Sequence, residues 1–451
     1  MDHLYRACPL TLRLPCRWGE YCPMKYSSAV DSFHLLPSAS TQYTEYSNSL
    51  ISLAIEHHVD LFLPVCGVAS EVEDAKAAEI MAVKTGGRCK TFIQDPETIS
   101  QLHDKDEFIN LVDSLGFPVP RGKLVYSVDE AMDFLYSEAK DEHGRGVGFI
   151  IKCTELDENR GDLTTYPFAG DDIKMSKTRK HFDGLKLKMS RKYPYVLQEY
   201  IPGQGKSTSR LGYRHSLEDG ADPGRFDFLE WCTHASVVDG QITAFVTAPS
   251  NDMLMTYEDW TNREIGKRAE QWTRDFLNRL GKNPVSSGKK RRLTGHFSFD
   301  FILSERNGEM YPIECNPRVH TAIILLPLSK LASVYPAPHE TFHVEKVLKP
   351  LPGTAPRSWI YNDLIMRYLP YALPFTEILD MIHPSLPACH LTWDQKKRVL
   401  PQEGVLQVRV DPTLIADDPI PFLVLWHVFW PYLLVTRWWQ GKKWTRVRIP
   451  A

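Results

Sequence analysis

A dominant charge of one sign is what this sequence most clearly lacks. Its 53 Lys and Arg stand against 56 Asp and Glu, for a net charge of −3. That balance excludes a protein built to hold nucleic acid by global basic charge, and no nucleic-acid partner is expected. Cysteine pairing is missing as well. The nine cysteines, at 8, 16, 22, 66, 89, 153, 232, 315 and 389, are odd in number, scattered, and form no C-x-x-C. A disulfide framework and a structural zinc site are therefore not expected, and a reducing, cytoplasmic setting is. The opening MDHLYRACPL has no charged region followed by an apolar run, so it does not read as a secretory signal. No internal repeat is visible.

Long uncharged apolar runs are confined to one place. PIPFLVLWHVFWPYLLVT, 419–436, approaches the length of a membrane span before it meets Arg437. Pro419, Pro421, Pro431 and His427 interrupt it, and Pro431 is expected to break a helix near its middle. The segment is read as packing within the protein. Shallow membrane contact through 419–451, using the aromatics and the basic tail, is the other reading.

At 451 residues, with ordinary apolar and charged fractions, the chain is expected to form two or three soluble lobes. DSFHLLPSA and VDLFLPVCG read as strands around the amphipathic helix TEYSNSLISLAIEHH. SEVEDAKAAEIMAVKTG follows as a helix capped at Ser70 and ended near Gly86. That alternation predicts an α/β arrangement with a parallel sheet. Residues 1–25 fit nothing regular. HDKDEFINLVDSLGFPVP predicts a helix running into a turn at Gly116 and Pro118, where a new lobe begins.

Farther on, GVGFIIKC and YPYVLQEYI read as strands, and FLEWCTHASVVDGQITAFVTAP as a hairpin turning at Asp239-Gly240. EDWTNREIGKRAEQWTRDFLNRLG predicts a long amphipathic helix. The charged tracts 154–192 and 203–225 are expected to be mobile loops rather than packed structure.

The chemistry concentrates in GHFSFDFILSERNGEMYPIECNPR. Successive side chains of a strand point to opposite faces, so Glu314, Asn316 and Arg318 share one face of the second strand. A loop of Arg306-Asn307-Gly308 would pair Glu305 with Glu309 and set Asp300 opposite Glu314 and Ser298 opposite Asn316. A solvated strand face is one reading. However, two adjacent carboxylates repel, and a divalent cation offsets that cost. Asp300, Glu314 and Asn316 offer the hard oxygen ligands that Mg2+ takes, with Mn2+ as an alternative, and Arg318 is placed to fork onto a phosphate.

This pattern, an acidic residue in DFI followed by E-x-N-P-R, resembles the metal site of ATP-grasp ligases. HDKDEF with G-x-P-x-P, GFIIKC and VLQEYIPG resemble further elements of that family in its order, over about residues 50–330. The resemblance implies an α/β (α+β) ATP-grasp fold. Residues 1–100 would be an incomplete pre-ATP-grasp domain lacking its first βα unit, 101–335 the two-lobed ATP-grasp module hinged near 198–203, and 336–451 a C-terminal extension. It implies ATP and Mg2+ as cofactors and nucleotide contacts from Lys105, Lys152, the hinge residues Gln198, Glu199, Tyr200 and Ile201, and Lys206. Arg318 and Lys152 would assist phosphoryl transfer.

The implied activity is an ADP-forming ligase that phosphorylates a small-molecule acceptor and couples it to an amine, forming a C–N bond. IECNPRVHTA, LTGHFSFDFI, APSNDMLMTYEDW and DDPIPFLVLWHVFWPYLL are similar to the mycosporine-type ligases and their fungal secondary-metabolism relatives, which join an amino acid to a cyclohexenone. An ordinary carboxylate–amine ligase and a non-catalytic ATP-binding scaffold are the competing readings. Arg318, His320 and the Asn251-Asp252 loop are the nearest acceptor-site candidates, and a homo-oligomer is compatible with the sequence.

Other signals are set aside. GQGKST is not a P-loop, because Tyr200 stands where the first glycine belongs. His234, His296 and His320 read as structural histidines, and Cys315 as a core residue.

Overall fold

Strand alternation and glycine-terminated helices build two units, the first with several small sheets and a four-stranded one, the second with a single three-stranded sheet. The computed structural model describes residues 12–16, 22–65, 70–140, 146–153, 164–201, 230–250, 256–304, 306–336, 346–358 and 413–440. One unit comprises 1–111, 231–300 and 314–451; the other comprises 112–230 and 301–313.

The first unit opens with β1 (Leu12–Cys16), which pairs in parallel with β2 (Val30–Leu35). This corrects the expectation that residues 1–25 are irregular. Arg13 and Pro15 interrupt the apolar pattern, and the partner that makes the strand lies downstream. The helix Tyr43–Glu56 leads to β3 (Leu61–Phe62), and the helix Glu71–Lys84 connects it to the parallel β4 (Lys90–Thr91). The second of these helices ends where Thr85 gives way to Gly86 and Gly87, both at positive φ. The two helices pack through Tyr46, Leu50, Ala77 and Met81. Helices Pro96–His103 and Lys105–Ser114 follow.

The second unit contains β5 (Gly122–Val125), β6 (Phe149–Cys153) and β7 (Tyr195–Glu199), an antiparallel sheet with β7 in the centre. The helix Val128–Glu138 covers it with Ala131, Met132 and Leu135. Part of the tract expected to be a mobile loop is packed here. Ser176–Asp183 is a helix whose Phe182 joins Tyr166, Phe149 and Leu197 in the core. Its Lys, Arg and His residues hid two buried positions, Thr178 and Phe182. Residues 154–163 and 203–225 lie outside the described residues.

The chain then re-enters the first unit through β8 (Glu230–Val238) and β9 (Gln241–Pro249). Asp239 and Gly240 both take positive φ, and Val238 pairs with Gln241, so the hairpin turns where the sequence predicts. After β10 (Thr256–Tyr257) comes the helix Glu264–Leu280. β11 (Gly295–Leu303) and β12 (Met310–Asn316) complete a four-stranded sheet ordered β12-β11-β8-β9, and β13 (Arg357–Ser358) pairs with β10. Phe299 packs against Phe108, Trp272 and Phe276, with ring centroids 5.1–6.0 Å apart. That aromatic contact anchors one face of β11.

Residues 420–439 are helical throughout: an α segment Ile420–Val424, a π turn Leu425–Phe429 and the helix Trp430–Trp439. Pro431 does not break the run, contrary to expectation. The wide turn lies immediately before the proline and relieves the ring's clash with the preceding turn. Among the described residues no helix is long and apolar enough to cross a membrane.

Candidate functional site

β11 and β12 carry two carboxylates to one place. Asp300 is buried and interacts electrostatically with Glu314. Asn316 Nδ2 donates to Glu314 Oε1 at 3.2 Å. Arg318 Nη2 donates to Asn316 Oδ1 at 3.1 Å, and the Arg318 amide donates to the Asn316 carbonyl at 2.8 Å. Lys105, at the start of its helix, places Nζ 2.8 Å from Glu314 Oε2. Five of the predicted residues, Lys105, Asp300, Glu314, Asn316 and Arg318, therefore form one chain of polar contacts in the first unit.

Electrostatics follow from that geometry. Burial alone would push the Glu314 carboxyl up. The Lys105 charge and hydrogen bond, with the bond from Asn316, outweigh it and hold the group at about 2. Two carboxylates this close repel, and a cation at the pair would offset that cost. The donor set, two carboxylates and a carboxamide, is hard and oxygen-only, which fits Mg2+ with its remaining positions left to phosphate and water. Among the described residues no cluster of three or more His, Cys, Asp or Glu forms a fuller metal cage.

The hairpin end differs in detail from expectation. Ser304 donates its amide to the Glu309 carbonyl at 2.8 Å, and Gly308, at φ +68°, donates to the Ser304 carbonyl. Thus Ser304 bonds Glu309, while Glu305 lies outside the described residues. Ser298 does not serve Asn316: its Oγ donates to the Arg318 carbonyl at 3.0 Å. His234 Nδ1 accepts the His320 amide at 3.3 Å, and His320 Nδ1 accepts the Ala322 amide. Together these bonds pin the backbone that follows β12. Cys315 is buried, and burial pushes its thiol well above the ordinary range.

Sequence reasoning missed Glu71. It opens the helix Glu71–Lys84 and is buried, with Oε2 accepting the Ser70 amide at 3.2 Å. Its other oxygen, Oε1, has no hydrogen-bond partner and lies 4.0 Å from Arg318 Nε and 3.7 Å from His103 Nδ1. Only tertiary structure brings this helix start to Arg318. An acidic first turn is otherwise an ordinary helix signal.

In the second unit Lys152 lies on β6, paired with Val196. Gln198 is central in the sheet, paired with both Gly122 and Ile150. The Glu199 amide donates to the Arg121 carbonyl at 2.7 Å and the Tyr200 amide to the Gly148 carbonyl at 2.8 Å. Glu199 Oε2 pairs with Arg121 Nε at 2.9 Å and Oε1 with Arg306 Nη1 at 3.3 Å. Its carboxylate is thus a structural ion-pair centre, and any nucleotide contact at 198–201 falls to groups other than those two amides. Ile201 is buried. Lys206 and the Asn251-Asp252 loop lie outside the described residues.

No family model matches the sequence. Among solved structures, the chain is similar to a biotin carboxylase–β,γ-ATP complex from Campylobacter jejuni, at 14% identity and TM-score 0.46, over 74% of this chain and 70% of that one. It is similar to an L-amino acid ligase from Bacillus licheniformis, at 11% identity and TM-score 0.43, over 72% and 66%. A third is an N5-carboxyaminoimidazole synthetase with ADP from Staphylococcus aureus, at 14% identity and TM-score 0.41, over 71% and 68%. The chain spans about two thirds of the length of these structures.

Proposed function

We propose that the protein is an ADP-forming, ATP-dependent ligase of the ATP-grasp type, acting on a small-molecule acceptor and an amine. The observation that carries this reading is the Asp300–Glu314 carboxyl pair, continued by Asn316 and Arg318 and met by Lys105. Asp300, Glu314 and Asn316 would hold Mg2+, which when bound neutralises charge on the phosphoryl group in transfer. Lys105 and Arg318 add preorganised positive charge beside it, and Lys152 and Lys206 are assigned to the phosphates by resemblance. The acceptor oxygen, of a carboxylate or an enolised ketone, attacks the γ-phosphorus and ADP leaves. The amine then forms a C–N bond at the activated carbon, phosphate departs, and the nitrogen loses a proton. The family segments support a cyclohexenone acceptor and an amino acid amine, as in mycosporine-type secondary metabolism.

The test is nucleotide product analysis with ATP and magnesium, alone and then with 4-deoxygadusol and pooled amino acids. ADP and phosphate formed only with the acceptor are expected. Asp300→Ala should lower that turnover by at least about a hundredfold. ADP formed with another acid–amine pair would keep the reaction and discard the cyclohexenone. AMP and pyrophosphate would overturn the phosphoryl-transfer mechanism, and ATP bound without turnover on any acceptor would favour the scaffold.

A further inference from the structure

A C–N ligation needs a base for its amine. An alkylamine such as that of an amino acid is an ammonium at neutral pH, with no lone pair to offer until a proton is removed. The residues already assigned do not supply that base. On the ligase reading Asp300 and Glu314 are taken by the metal, and Lys105 is held on Glu314 at 2.8 Å. His234 and His320 each commit Nδ1 to a main-chain amide, and His296 is buried beside His234.

His103 and Glu71 are arranged differently. His103 ends the helix Pro96–His103, just before Lys105. Its side chain is 52% exposed, its Nδ1 stands 3.7 Å from Glu71 Oε1, and its Nε2 makes no hydrogen bond among the described residues. The Glu71 side chain is only 5% exposed. Its Oε2 takes the Ser70 amide, while Oε1 has no hydrogen-bond partner and faces the imidazole and, at 4.0 Å, Arg318 Nε. A basic residue in a last turn is ordinary, since it complements the helix dipole. A buried carboxylate oxygen left open toward that ring is not, because an unpaired buried acceptor is destabilising. A carboxylate beside an imidazole holds the ring proton on Nδ1, leaves the lone pair on Nε2, and stabilises the imidazolium once a proton is taken. Such contacts are commonly long before substrate binds and tighten in the complex. The other charged groups at this turn are engaged elsewhere. Asp104 Oδ1 accepts the Asp106 and Glu107 amides at 3.0 and 2.9 Å, Lys105 is turned to Glu314, and Arg318 reaches Glu71 rather than the ring.

We propose, resting on the ligase reading above, that His103 is the base that deprotonates the amine, with Glu71 as its positioning residue. Nε2 takes one proton from the ammonium and passes it to water. The freed nitrogen lone pair then forms the C–N bond. The bond from carbon to the phosphate oxygen breaks with its electron pair, and the departing phosphate takes the nitrogen's second surplus proton. The amine substrate is accordingly one that is charged at neutral pH, an alkylamine such as an amino acid's, rather than a weakly basic aryl amine.

The test compares two nucleophiles in the full chain, with ATP, magnesium and 4-deoxygadusol or whichever acid replaces it in the product analysis. His103→Gln should lower ADP formation with an amino acid at neutral pH by about a hundredfold. Raising the pH should recover it, because the amine then loses its proton unaided. Hydroxylamine, a small amine that is uncharged at neutral pH, should likewise bring the variant close to the parent. Circular dichroism checks that this half-exposed substitution leaves the fold intact. An equal loss with both nucleophiles, or no loss with either, overturns the proposal and leaves the ligase reading in place. A parent chain that forms no ADP with any acid–amine pair overturns both.

Discussion

Glu71 carries a buried charge that its own neighbours only half satisfy. A buried carboxylate oxygen left without a donor costs about 1–3 kcal/mol, and such a cost is retained where it serves a site. Here Oε1 faces Arg318 Nε at 4.0 Å, while Asn316 holds the same guanidinium through Nη2. On the proposed function, in which Arg318 meets a phosphate or acceptor, Glu71 is a positioning residue that fixes the angle of that guanidinium. Glu71→Gln keeps an acceptor for the Ser70 amide and removes the charge. The expected outcome is a melting temperature unchanged or raised, with kcat/KM lowered about tenfold or more, as when supporting partners of a charged site are lost. A lowered melting temperature with unaltered kinetics would make Glu71 a purely structural group.

Elements show which parts of this structure are legible in its sequence. The Asp239-Gly240 hairpin and the Phe-x-Phe-x-Phe strand are legible because alternation and turn chemistry are local. β1 is not, because its identity depends on a parallel partner beyond a turn. The helix Ser176–Asp183 is not, because two buried side chains within a basic run make no visible period. Strand parity puts Glu314, Asn316 and Arg318 on one face, but the register it needs pairs Glu305 with Glu309, whereas Ser304 bonds Glu309. Glu71 beside Arg318 is not legible at all, being a meeting of a helix start with a distant strand end.

The helix Glu264–Leu280 bears a prediction at this scale. It is strapped to β9 by residues 258–263: Trp260 donates its amide to the Thr247 carbonyl, and the Thr247 amide donates to Thr261 Oγ1. Gly266 lets the strap lie against the helix, since a Cβ there would fall 2.3 Å from the Trp260 carbonyl oxygen and 2.5 Å from that of Thr261. Backbone cannot swing aside as a side-chain tip does. Gly266→Ala is expected to destabilise the protein by about 1–3 kcal/mol despite alanine's better helix propensity, read as a lower urea midpoint. A raised midpoint would mean that the strap is loose.

For the molecule as a whole, acid sensitivity is built into the sheet of the first unit. His234 and His296 lie on β8 and β11 with ring centroids 5.1 Å apart, and Ser236 Oγ stands 3.3 Å from His234 Nε2 and 3.4 Å from His296 Nδ1. The groups facing them are chiefly neutral or aromatic, Phe92 and Tyr335 among them. Burial holds His296 at about 3 and His320 at about 4, and burial with the neighbouring histidines holds His234 well below its ordinary 6.5. The folded protein therefore keeps these rings neutral while the unfolded chain protonates them near 6.5. Stability is full above that value and falls as the pH drops toward the folded-state values. Each ring contributes a slope of about 1.4 kcal/mol per pH unit once the unfolded chain is protonated. Glu314, depressed to about 2, adds its own loss only below its ordinary 4.5. Urea unfolding followed from neutral pH to about pH 5 should thus show a steep fall before any carboxylate contributes. His296→Gln should flatten that fall by about one proton's worth. A midpoint constant over this interval would mean that the histidines already bind protons in the folded state, and the buried neutral cluster would be wrong.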